Sequence, residues 1–246
     1  MGDSYDKPFF DKRSAGADSS ARALIPLVLD LVGPSSVVDV GCARGEWLSV
    51  FRELGVGDFL GVDGTHVDLD SLVIPKDRFV QHDLSTGTVP VERTFDLAMS
   101  LEVAEHLPPE SADRFVASLA GLAPIVLFSA AIPFQGGTMH VNEQWPTYWV
   151  ERFAKHDFQA IDAIRRRCWT NQEIATWYRQ NTLVYVRSDV LEHNAKLQAE
   201  HARTEPTRLN VILPEVYLRE ADPPTRKLWR RLRRRLLGKE KGPAGR

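Results

Sequence analysis

Short apolar runs alternate with stretches of helical periodicity across most of the chain. Val37, Val38 and Val40 form a nearly unbroken apolar run, as a parallel strand covered on both faces requires. Runs of the same kind predict further strands at 58–63, near 78–82, near 95–100, at 125–130, at 158–168 and at 183–186. Helices are expected between them. One runs from about Glu46 to Leu54. Another opens at Pro108-Pro109-Glu110 with Phe115, Leu119 and Leu122 on its apolar face. A third runs from Trp145 to about His156, and a short one with Trp177 and Tyr178 follows Gln172. Ahead of the first strand, Leu24, Leu27, Val28 and Leu31 fall at helical spacing in a helix over 18–32, with Ser19 or Ser20 as its cap and Gly33-Pro34 as its stop. Alternating strands and helices predict a doubly wound, mainly parallel sheet with helices on both faces. The chain divides into an arm at 1–17, a main domain at 18–188, a helical appendage at 189–224 and a basic tail at 225–246.

In such a sheet ligands bind beyond the carboxyl ends of the strands. The first strand ends in Asp39, and Gly41 and Gly45 follow in the turn, where the backbone can approach a ligand closely. A helix start near Glu46 then offers free N–H groups. The second strand ends in Asp63, which lies 22 residues after Gly41 and suits an acid that accepts hydrogen bonds from ribose hydroxyls. The third strand ends in Asp83, with Leu84 next, and the fourth ends at Ser100, followed by Leu101-Glu102-Val103-Ala104-Glu105-His106.

With DVGCARG at 39–45, GVDG at 61–64, HDL at 82–84 and FDLAMSLEVAEHLP at 95–108, the chain resembles the class I S-adenosylmethionine-dependent methyltransferases. Ala43 stands where that family's turn has a further glycine. The resemblance covers about three-quarters of the chain. It implies a Rossmann-like fold of seven strands, the last antiparallel and inserted between the fifth and sixth. It also implies S-adenosylmethionine as cofactor, bound by Asp39, Gly41, Gly45, Asp63, Asp83, Leu84 and Ser100. Gly41 and Gly45 would pass under the methionine part, and Asp63 would hold the ribose. Asp83 would accept from the adenine amino group, with Leu84 beside the ring. The aromatic residues Tyr5, Phe9 and Phe10 would fold over the cofactor or pack on the domain edge.

For the acceptor, a hydroxyl needs a general base, and histidine takes up a proton near neutral pH. His106 follows the fourth strand. His140 lies in a loop at 131–146 that overhangs the carboxyl end of the fifth, beside Asn142 and Glu143 and after the Gly136-Gly137 pair. These two histidines are the candidate catalytic residues. The Glu-x-x-Glu-His string also resembles ubiquinone-pathway and small-RNA methyltransferases, in which those residues bind a divalent ion. Mg²⁺ is therefore an alternative that is not favoured, and no metal ligand is assigned. The HVNEQWP stretch at 140–146, with Trp169 and the WYRQN string at 177–181, resembles a bacterial subgroup active in glycan or natural-product biosynthesis. The function implied is O-methylation of a small hydroxylated acceptor, a sugar or natural product. The alternatives are carbon or nitrogen methylation of an aromatic natural product, and a non-catalytic cofactor-binding partner subunit.

At 246 residues, 43% hydrophobic and 26% charged, the chain is long enough for one sizeable α/β domain with extensions and has ordinary globular composition. No apolar run approaches the roughly 18 residues of a membrane span, and the first twenty residues lack the apolar centre of a secretory signal. Cys42 and Cys168 suit neither a zinc spacing nor a disulfide framework. A cytoplasmic location is expected. The net charge of −2 hides an asymmetry: from Thr225 onward there are ten Lys or Arg and one acid, against 21 basic and 32 acidic residues before it. An acidic body does not suit a nucleic-acid partner. The tail, with Leu228, Leu232 and Leu236 four apart, reads as a basic amphipathic helix for peripheral contact with an anionic membrane or an acidic partner.

Overall fold

The computed structural model describes residues 7–221, with side chains for 16–218. Seven strands form one sheet in the order β3-β2-β1-β4-β5-β7-β6. They are β1 (Ser36–Val40), β2 (Asp58–Asp63), β3 (Phe79–Gln81), β4 (Leu97–Leu101), β5 (Ile125–Ser129), β6 (Phe158–Ile161) and β7 (Leu183–Arg187). Strands β1 to β5 pair in parallel, and β7 runs antiparallel to both β5 and β6. The Rossmann-like methyltransferase architecture, with its inserted antiparallel strand, is therefore present.

The helices of the first unit are α1 (Lys7–Leu31), α2 (Glu46–Glu53), α3 (Ala112–Leu122), α4 (Pro146–Ala154), α5 (Ile164–Cys168), α6 (Thr176–Asn181), α7 (Ser188–Glu192) and α8 (Ala195–Ala202). Alternate residues of each strand feed two separate cores. Val37, Phe59, Leu97, Met99, Leu127, Val184 and Val186 pack with Leu24, Ile25 and Val28 of α1, Leu48 and Phe51 of α2 and Cys168 of α5. Val38, Val40, Val62, Ala98, Val126, Phe128 and Tyr185 pack with Phe115, Val116 and Leu119 of α3 and Trp149 and Phe153 of α4. Both faces of the sheet are dry, which is why β1, β4 and β5 read as apolar runs without alternation.

Three local expectations are corrected. The helix expected over 18–32 begins at Lys7, eleven residues before Asp18. Ser19 and Ser20 do not cap it. They lie inside it and tie it to the turn before α6: Ser19 Oγ donates to Glu173 O at 2.9 Å. Ser20 Oγ donates to Gly16 O at 2.7 Å and accepts from Ala175 N at 3.0 Å. The strand expected over 158–168 stops at Ile161, and 164–168 is α5. Asp162, just before α5, pairs with Arg165 in its first turn through both carboxylate oxygens, at 2.9 and 2.6 Å. Arg165 is buried, and it also donates to the Leu209 carbonyl at 2.9 Å.

The chain forms two compact units, Met1–Val211 and Ile212–Arg246. Helices α7 and α8, expected in an appendage from residue 189, belong to the first unit. The second contains α9 (Pro214–Ala221), which opens on a proline where its missing N–H is harmless. Tyr5, the side chains of Phe9 and Phe10, and the tail at 225–246 lie outside the described residues. Among the described residues no helix is long and apolar enough to cross a membrane.

Candidate active site

The carboxyl ends of β1 to β5 put the loops that follow them along one edge of the sheet, with the order reversing between β1 and β4. The loop after β1 is a tight backbone cradle. Gly41, Ala43 and Gly45 have φ of 88°, 49° and 90°, and Gly45 leads into α2. At Gly41 and Gly45 these angles favour glycine, and space requires it as well: a Cβ on Gly41 would lie 2.3 Å from Val103 Cγ2, and one on Gly45 would lie 2.8 Å from Ile74.

Asp63, buried at the end of β2, faces this turn. Its carboxylate accepts from Ala43 N at 2.7 Å and from Gly64 N at 2.6 Å, with His66 Nε2 at 3.4 Å. Two lone-pair positions remain for hydroxyl donors. Asp39 lies beneath, fully buried. Burial, together with the charges of Asp63 and Glu46, pushes its carboxyl well above the ordinary range. Asp83 is exposed and held in a turn by Ser85 N at 2.9 Å and Ser85 Oγ at 2.6 Å, and these bonds lower its pKa. Leu84 beside it is buried. Ser100 is buried on β4, and its hydroxyl has no partner. Asp39, Asp63, Asp83 and Ser100 thus lie along the carboxyl edge of β1 to β4, at or just beyond the strand ends.

On the other side of the cradle, Val103 leads into a short turn that carries Glu105 and His106. The overhanging loop brings His140 to them. The two imidazole rings stand edge to face, with centroids 4.9 Å apart. One ligand atom each from Glu105, His106 and His140 lies within 4.8 Å of the others. The Glu105 side chain is 1% exposed and lies against the Glu102 carboxyl. Burial, and then the neighbouring charge of Glu102, raises its pKa strongly.

Two sets of residues hold this arrangement: Glu143, which with Asn142 was expected beside His140, and a cluster around Glu102 whose contacts were not foreseen. Glu143 zips the loop: its Oε2 accepts from Phe134 N at 2.8 Å, and its Oε1 accepts from Gly136 N at 2.9 Å and lies 2.9 Å from His140 Nδ1. Glu143, not Asn142, orients the ring, because Asn142 accepts from Gln144 instead. The ring lies directly over Gly137, where a Cβ would meet Nε2 at 2.2 Å. The second set surrounds Glu102, whose φ is 57°. Asn181 Nδ2 donates to Glu102 Oε1 at 3.0 Å and to Gln135 Oε1 at 2.9 Å, and Gln135 Nε2 donates to Glu102 Oε2 at 2.9 Å. Burial raises the Glu102 pKa, and these amides oppose the rise. One signal could have found Asn181. An antiparallel β7 starts at the edge where β5 ends, with Leu183 opposite Phe128, so the residues before it reach the site.

A family model described as Methyltransferase domain matches residues 15–172. No curated protein is a match by sequence. Among solved structures, the sugar N-methyltransferase KedS8 from Streptoalloteichus is similar with a TM-score of 0.55 at 15% identity, over 76% of this chain and 95% of that one. Magnesium protoporphyrin IX methyltransferase from Synechocystis, with bound S-adenosylmethionine, gives 0.52 at 19% identity, over 76% and 86%. Human N-acetylserotonin methyltransferase, in complex with the same cofactor, gives 0.52 at 13% identity, over 73% of this chain and 55% of that one.

Proposed function

This chain belongs to the methyltransferase domain family and is an S-adenosylmethionine-dependent methyltransferase, and from that premise we propose that it methylates a hydroxyl of a small acceptor, with His140 as the base. The observation that carries the reading is the pairing of His140 Nδ1 with Glu143 Oε1 at 2.9 Å. A carboxylate there holds the neutral ring as its Nδ1–H tautomer and leaves the Nε2 lone pair to take a proton. The cofactor's sulfonium supplies the activated methyl group. The chain's own work is to hold the ribose with Asp63, bring the hydroxyl to the methyl, and remove its proton. His106, edge-on to His140, bounds the same space. The Phe134-to-Glu143 segment excludes water from it.

Acceptors tested with labelled cofactor should include sugars and phenols. His140→Ala should bind cofactor normally and turn over about 10²–10⁴ more slowly, the usual cost of losing a general base. Full activity in both His140→Ala and His106→Ala would remove the base and leave positioning alone, or carbon methylation, as the account.

A second reading has its own observation. Glu105, His106 and His140 converge with ligand spacing, and the Glu105 carboxyl is buried. These three residues would hold a divalent ion, and an ion there would polarise a bound hydroxyl. Loss of activity on chelation, with recovery on adding Mg²⁺, would favour this reading over the base.

A further inference from the structure

The loop that carries His140 turns three apolar side chains outward. Phe134 is 80% exposed, Met139 62% and Val141 59%, the highest values among the described large hydrophobics of the first unit. Their backbone is held in place. Glu143 grips Phe134 N and Gly136 N, Val141 N and Asn142 N donate to Glu105 O at 2.8 and 3.0 Å, and Gln144 N donates to Ala131 O at 3.1 Å. Phe134 and Met139 sit at φ of 67° and 61°, where glycine or asparagine fits easily and a bulky side chain is strained. The chain thus bears two costs at once, backbone strain and apolar surface in water. Both are borne at the mouth of the acceptor side, since Met139 and Val141 flank His140 in sequence. Three side chains on one loop offer on the order of 300 Å². A stable dimer buries about 800 Å² on each partner, so the patch matches a small molecule better than a second copy.

We propose that Phe134, Met139 and Val141 form a lip that binds the apolar body of the acceptor. The substrate is then amphipathic: a hydroxyl presented to His140, carried on an aromatic or alkyl group that lies along the lip. This rests on the reading of His140 as the acceptor-side residue, and it narrows the acceptor from any hydroxylated compound to one with an apolar arm. The polar floor of Glu105, His106 and His140 takes the reacting end, and the lip takes the rest.

The test is calorimetric binding of methyl, hexyl and phenyl β-D-glucopyranoside to the full chain saturated with S-adenosylhomocysteine. No methyl transfer is needed, so this outcome is separate from the fate of the His140→Ala experiment. The hexyl or phenyl compound should bind at least about tenfold more tightly than the methyl compound, about 1.4 kcal/mol. Which of the two gains more tells an alkyl arm from an aromatic one. Phe134→Asn with Met139→Asn should abolish the difference, because asparagine keeps the positive φ and removes the apolar surface. Cofactor affinity should not change, and the melting temperature should not fall, since asparagine relieves the strain at both positions. Equal affinity for the three compounds, including no measurable binding of any, overturns the proposal. So does a preference that survives the double substitution, or a loss of thermal stability in that variant, which would show the side chains packing inward. Sedimentation as a dimer that disappears on the same double substitution would give the patch to a second copy and also overturn it.

Discussion

Substituting Gly41 with alanine should cost about 2–5 kcal/mol of stability, from two separable causes. The first is backbone: a Cβ in a left-handed conformation costs roughly 1–2 kcal/mol, and Gly41 has φ of 88°. The second is overpacking, which costs about 1–3 kcal/mol in a close-packed interior. The new Cβ would stand 2.3 Å from Val103 Cγ2, 2.8 Å from Cγ1 and 3.1 Å from Cβ. The sum is a large share of the roughly 5–15 kcal/mol by which domains are stable. Urea unfolding of wild type, Gly41→Ala, Val103→Ala and the double variant separates the two. Val103→Ala removes both Cγ atoms, so the double variant should recover most of the overpacking cost, a coupling of about 1–3 kcal/mol, and none of the backbone cost. A single variant within about 0.5 kcal/mol of wild type, the usual range for surface changes, would refute the tight contact between cradle and turn. A cycle with no coupling would refute the role of Val103.

Asp63→Ala should weaken cofactor binding by about 1–3 kcal/mol, since it strips an acceptor from Ala43 N and Gly64 N as well as from the ribose. Undiminished affinity by calorimetry would take Asp63 out of the cofactor site. Asp39 predicts a pH dependence: burial raises its folded pKa above the ordinary 3.8, so its contribution to stability is full below that value and is lost as pH rises towards the folded pKa. Thermal melts of the cofactor-free protein should therefore fall from acid to neutral pH by less in Asp39→Asn than in wild type. Parallel curves would show that Asp39 does not carry the effect.

The cofactor half of the molecule was legible because its chemistry is local in sequence. At or just beyond the end of each of β1 to β3 lies an acid, Asp39, Asp63 or Asp83, so an apolar run followed by an acid marks the element and the edge it reaches. The acceptor half was legible only in its histidines. Glu102 is gripped by Gln135 and by Asn181, 79 residues away along the chain, and that distance is closed by the antiparallel β7. The exchange of α5 for strand has a similar origin. Phe158 to Ile161 is apolar enough for a strand, and the run of Ile164 and Cys168 beyond it, four apart, is apolar at helical spacing as well, so the change to α5 is not marked by hydrophobicity. Ser19 and Ser20 look like a cap because serine usually is one. Here their hydroxyls serve a distant turn while the helix continues to Lys7.

The Glu102 network also sets an order of events during synthesis. The first four strands are complete once residue 101 has left the ribosome, and the ladders that join them to one another use no later residue. The carboxylate of Glu102 is finished only when Asn181 arrives, and β7 can enter the sheet only between strands already made. A nascent chain halted before residue 181 would therefore hold a carboxylate without one of its amides, and β6 without the neighbour that joins it to the sheet. That intermediate exposes an unpaired strand edge, the feature by which partly made chains are drawn into aggregation.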